Sequence, residues 1–178
     1  MRYRRSRQPG GCYFFTLVTY RRQPLLSLPA NIERLRAAFR RERERYPFTI
    51  DAIVILPDHL HTLWRLPQDD DDYPNRWSRI KRYFSIGCVG ADTTRPASRE
   101  QKRERAVWQR RFWEHRIRDR EDWRGHMDYI HYNPVRHGLS ATPAEWPYSS
   151  FHRCVEKGWY AADWGGAEPA SIVGIDCE

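Results

Sequence analysis

The chain has 178 residues, the length of one ordinary domain and enough to bury a core. Its 31 Lys and Arg outnumber 23 Asp and Glu, giving a formal charge of +8 and a pI near 9.6, which points to a polyanionic partner, either nucleic acid or an anionic membrane surface. No apolar run approaches the roughly 20 residues of a membrane span, no long apolar stretch follows the basic start to make a signal peptide, and Cys12, Cys88, Cys154 and Cys177 form no C-x-x-C pair, so a soluble cytoplasmic protein with reduced, mostly buried thiols is expected.

Tyr13 to Tyr20 is aromatic and β-branched and reads as a first strand. Pro24 and Pro29 break the next stretch. Asn31 is then the cap candidate for a helix from Ile32 to about Tyr46, with Leu35 and Phe39 at helical spacing and Arg40 to Arg45 as a solvated face. Pro47 ends that helix. Phe48 to Leu56, rich in Ile and Val, and His59 to Leu66 read as two strands joined at Pro57-Asp58 into a hairpin. Asp69 to Asp72 read as a solvated turn. A second helix runs from Trp77 to about Cys88, with Trp77, Ile80 and Phe84 on one face. Residues 90–107 carry Gly, Pro, Ser and a charge run, the composition of a mobile basic loop. Phe112 to Ile117 is a fourth strand. Asp119 or Asp122 caps a last helix that reaches Asn133, where Pro134 ends it. Beyond Gly138 the pattern is irregular.

The order β-α-β-β-α-β-α begins with the six elements of the ferredoxin-like split βαβ pattern. The predicted fold class is therefore α+β. An antiparallel sheet carries helices on one face, which leaves the other for a ligand, and a C-terminal helix and tail follow.

Two constellations carry chemistry. In His59-Leu60-His61 the imidazoles are two apart on a strand, so they share one face while Leu60 packs behind them. That is a two-point metal platform. A cupin-like site would want a Glu soon after in the same strand, and Thr62, Leu63, Trp64 and Arg65 follow instead. In Tyr129-Ile130-His131-Tyr132-Asn133-Pro134 the phenol of Tyr129 and the amide of Asn133 are four apart and share one helix face. A tyrosine hydroxyl, with a pKa near 10, is a poor nucleophile at neutral pH. It needs an electrophile activated by a metal ion, which polarises a phosphate and neutralises developing charge. Two His and one amide oxygen leave a partly open shell. With oxygen donors imidazole accepts Mg2+ or Mn2+, although by itself it prefers zinc.

Four blocks in order resemble one known family. They are Val54 to His61, Phe112 to Arg118, Asp128 to Gly138 and Trp146 to Phe151. The family is the REP-associated tyrosine transposases, relatives of the single-tyrosine insertion-sequence transposases. The resemblance runs from about Tyr13 to Trp164; Ala91 to Arg105 matches nothing in it and looks like an enlarged loop.

The resemblance implies an HUH endonuclease domain over residues 1–140 with residues 141–178 as a tail packed on it or extending it. It implies Mg2+ or Mn2+ as cofactor, and cleavage and rejoining of single-stranded DNA at repetitive extragenic palindromic hairpins through a 5′-phosphotyrosine. By position Tyr129 matches the nucleophile and His59 and His61 the metal pair. Asn133 stands where the insertion-sequence relatives carry a Gln ligand, one methylene longer. The expected partners are single-stranded DNA and DNA hairpins, with no membrane, in a bacterial cytoplasm at the nucleoid; monomer and dimer both remain open. Arg2, Arg4, Arg5 and Arg7 are the first candidates for DNA contact. The alternative is a non-catalytic single-strand binder using an RRM-like sheet, although the chain lacks an RNP-like aromatic strand motif. A small metallohydrolase with water as nucleophile would leave Tyr129 without a role.

Overall fold

The computed structural model describes residues 7–92, 105–175 and 177. Arg2, Arg4, Arg5 and most of the basic loop lie outside the described residues. In chain order the elements are β1 (Cys12–Val18), α1 (Pro29–Arg45), β2 (Thr49–Ile55), β3 (His59–Arg65), α2 (Tyr73–Ile86), β4 (Trp113–Arg116), α3 (Arg120–Arg136) and the short α4 (Phe151–Glu156). The sheet order is β2-β3-β1-β4, and every neighbouring pair is antiparallel. This is the α+β, split βαβ arrangement that the element order predicts.

Strand alternation divides the core in two. On one face Tyr13, Phe15, Leu17, Leu60 and Trp64 pack against α1 and α2, with the Trp64 and Trp77 rings stacked at 4.1 Å. On the other face Phe14, Ala52, Val54 and Leu63 meet Met127, Tyr129 and Ile130 of α3. The second face is therefore not open: α3 covers it, and Cys154, Ile172 and Cys177 of the tail close the same cluster.

Four local expectations need correction. Asn31 does not cap α1. Pro29, whose fixed φ suits the first helical position, starts that helix. Asn31 is buried, donates to the Leu25 and Val89 carbonyls and accepts from the Val89 amide. Glu42 is no part of a solvated face; it is buried and takes a bidentate pair from Arg79. Within the acidic turn, Asp70 holds the buried Arg76 guanidinium at 2.6 and 2.9 Å. Pro134 does not end α3, which runs on to Arg136. A proline this close to a helix end forfeits one hydrogen bond, and the ladder resumes with the His137 amide donating to the Asn133 carbonyl at 3.0 Å.

The tail is tied to the sheet. Ser149 bridges Val54, the Ser150 hydroxyl accepts from the Ile53 amide, and Trp146 donates to the Ile55 carbonyl. Tyr160 and Ser171 both donate to Asp128 of α3 at 2.6 Å. Among the described residues no helix is long and apolar enough to cross a membrane. The four cysteines are free thiols, two of them buried.

Candidate active site

The two histidines leave β3 on the face that α3 covers, as the two-residue period requires. Both are buried, and their rings lie 4.9 Å apart at 78°. Each is held through Nδ1. The Thr16 hydroxyl donates its single proton to the Cys177 carbonyl at 2.8 Å, so at 2.9 Å from His61 Nδ1 it accepts, which assigns the proton of His61 to Nδ1. His59 Nδ1 lies 2.6 Å from an Asp58 oxygen, which fixes the same tautomer. In both rings Nε2 is then the atom with a lone pair for a metal, and both Nε2 atoms are buried.

Asp58 is the orienting carboxylate. Burial alone would push its carboxyl up, but the hydrogen bonds and charge of His59 and Arg22 hold it down at about 2. Arg22 reaches Asp58 at 3.0 Å from a turn in which Arg21 and Arg22 have φ of 56° and 52°. Non-glycine residues seldom adopt that left-handed conformation, and strain of this kind collects where a side chain must be aimed.

The α3 helix brings the second constellation onto the first. Asp119 caps it by accepting from the Asp122 amide at 2.9 Å. Tyr129 is 1% exposed, and its ring sits edge-on to His61 at 5.2 Å and to Phe14 at 5.9 Å. Asn133, one turn on, is fully buried. The Arg136 guanidinium lies 5.5 Å from the Tyr129 ring centroid, a cation beside the phenol. Tyr132 is turned toward the tail, where Gly165 backs its ring.

The donor chemistry suits a divalent ion: two imidazole nitrogens with fixed tautomers and one amide oxygen, all buried. Asp58, Thr16 and Arg22 were not singled out from the sequence. The aspartate directly before the His-x-His triplet is the one local signal that could have pointed to this support.

A second group of donors lies nearby. One atom each of His115, Asp122 and His126 falls within 4.8 Å of the others. Their rings, however, stack at 4.6 Å and only 13° from parallel, so in-plane lone pairs do not converge. Arg118 also occupies the same carboxylate. The group serves as a clamp between β4 and α3, and it lowers the Asp122 carboxyl to about 2 against the opposing effect of burial. Of the predicted DNA-contact arginines only Arg7 is described, and it is exposed.

No protein-family profile matches the chain. A REP-associated tyrosine transposase of Escherichia coli is 41% identical over 164 residues, covering 92% of this chain and 90% of its own. The chain belongs to the REP-associated tyrosine transposases. A Haemophilus influenzae protein assigned to the same family is 45% identical over 172 residues, 97% of either chain. The solved structure of a REP-associated tyrosine transposase bound to a REP hairpin superposes with a TM-score of 0.78 at 39% identity, covering 95% of this transposase and 93% of that chain. An RRM-like binder would need an open sheet face, and in this transposase α3 occupies it.

Proposed function

We propose that this transposase cleaves and rejoins single-stranded DNA at REP hairpins, with Tyr129 as nucleophile and His59, His61 and Asn133 as metal ligands. The observation that carries this is the Tyr129 ring 5.2 Å from His61, a histidine whose tautomer leaves Nε2 for an ion. A divalent cation held there, Mg2+ or Mn2+, would supply Lewis-acid polarisation of the scissile phosphate.

The phenol oxygen of Tyr129 attacks phosphorus. An O–P bond forms as the phenol gives up its proton, the bond from phosphorus to the 3′ oxygen breaks, and that oxygen takes up a proton and leaves as a free 3′ hydroxyl while the 5′ end stays on the protein as a phosphotyrosine. Attack by a 3′ hydroxyl on that ester reverses the bonds and rejoins a strand. Tyr129 is 1% exposed in the DNA-free protein, so the phenol becomes accessible to the scissile phosphate only as the strand binds. The net charge of +8 supplies phosphate affinity that salt weakens, and Arg2, Arg4, Arg5 and Arg7 add contacts to hairpin or flank. Residues 1–140 act as the catalytic domain, and residues 141–178 complete it, since the Cys177 carbonyl supports Thr16. The place of action is the cytoplasm, at the nucleoid.

The test is incubation with end-labelled hairpin DNA. Cleavage should stop with EDTA and return with Mg2+ or Mn2+; undiminished cleavage in chelator would remove the metal from the account.

A further inference from the structure

A third imidazole stands at the same site. Because α3 continues past Pro134, its C-terminal cap is His137, and the His137 ring lies 5.2 Å from that of His59 at 68°. Nitrogen about 2.1 Å from a zinc-class ion puts the imidazole centroid about 3.2 Å from it, so two such rings lie about 4.5 Å apart at a right angle and about 5.2 Å apart at the tetrahedral angle. The His59–His61 separation of 4.9 Å and the His59–His137 separation of 5.2 Å both fall in that span, with steeply inclined ring planes. The parallel rings of His115 and His126 do not offer this geometry.

We propose that His137 is a third nitrogen donor to the ion held by His59 and His61. This inference rests on the metal assignment above. It gives the free protein a three-imidazole site, which ranks zinc-class ions well above Mg2+. His137 is exposed at the helix end, so it can leave the ion without disturbing the buried pair.

The test uses the full chain, stripped with EDTA, dialysed and titrated with Zn2+ alone by calorimetry. Histidine 15N spectra are recorded at one equivalent. Wild type should bind one Zn2+ with the imidazole signals of His59, His61 and His137 shifted. His137→Ala should weaken Zn2+ binding at least tenfold while the metal-free melting temperature stays unchanged. If His137→Ala binds Zn2+ as wild type does while His59→Ala loses it, the third donor is wrong and the His59–His61 pair stands. If His59→Ala retains Zn2+, the pair falls and this inference with it; loss in His115→Ala would then move the ion to the clamp.

Discussion

Thr16 supports His61 from behind, so replacing it with valine should loosen the proposed metal site without touching a proposed ligand. Thr16→Val keeps the β-branched shape that suits β1 and removes only the hydroxyl. Two hydrogen bonds go, at 2.9 Å to His61 Nδ1 and 2.8 Å to the Cys177 carbonyl. Each is worth about 1 kcal/mol net, and a buried polar group left behind adds to that, so the cost should be about 3 kcal/mol. For a domain of this size that lowers the melting temperature by roughly 6–12 °C. Losing the partner that fixes a ligand's tautomer typically weakens metal binding about 10–100-fold. Calorimetric titration with Mn2+, beside thermal denaturation, reads both effects, and Thr16→Ser should recover most of each. A Thr16→Val protein that melts early yet binds Mn2+ as tightly as wild type would refute the orienting role.

Three further outcomes follow from the same geometry. Asp70→Asn should destabilise the fold by about 2 kcal/mol, the scale of hydrogen bonds to a charged group, because Asp70 is partly exposed and the Tyr46 and Pro47 carbonyls still accept from Arg76. The hydrogen bond from Arg76 lowers the Asp70 pKa below 3.8, so this stabilisation is present above 3.8 and is lost as pH falls through the folded value; melting curves of both proteins should converge in that window, and a gap that persists well below it would count against the pair. Trp113, 41% exposed and 5.8 Å from Phe14, offers a stacking surface beside the site, and Trp113→Ala should cost about 1–3 kcal/mol of single-strand affinity in fluorescence anisotropy. Deleting residues 1–7 should weaken hairpin binding and flatten its salt dependence, and unchanged affinity at every salt concentration would exclude the N-terminal arginines.

The sequence made the elements legible because their composition and spacing are strong. Tyr13 to Val18 is aromatic and β-branched, Tyr13 to Leu17 and His59 to Trp64 are buried on both faces, and Trp77, Ile80 and Phe84 keep helical spacing. Spacing also singled out the candidate residues: two apart on a strand for His59 and His61, whose rings lie 4.9 Å apart, and four apart on a helix for Tyr129 and Asn133, with the Tyr129 ring 5.2 Å from His61. What stayed hidden depends on contacts between distant parts of the chain. Thr16 meets Cys177 across 161 residues, and no local pattern encodes that. Asp70 and Glu42 sit in charged runs whose composition says solvent, yet each is drawn in by one arginine. Pro134 looks like a terminator, and only the resumed ladder to His137 reveals that the helix goes on to bring the His137 ring to 5.2 Å from that of His59.

Tyr129→Phe removes one oxygen and keeps the ring that packs on Phe14 and His61. Folding and DNA binding should survive, while the phosphotyrosine becomes impossible because no atom of Phe can attack phosphorus. Wild type, Tyr129→Phe and the neighbouring control Tyr132→Phe are incubated with end-labelled single-stranded hairpin DNA and resolved on denaturing gels. A DNA-linked protein band is predicted for wild type and Tyr132→Phe and none for Tyr129→Phe; a band of normal intensity from Tyr129→Phe would contradict the mechanism.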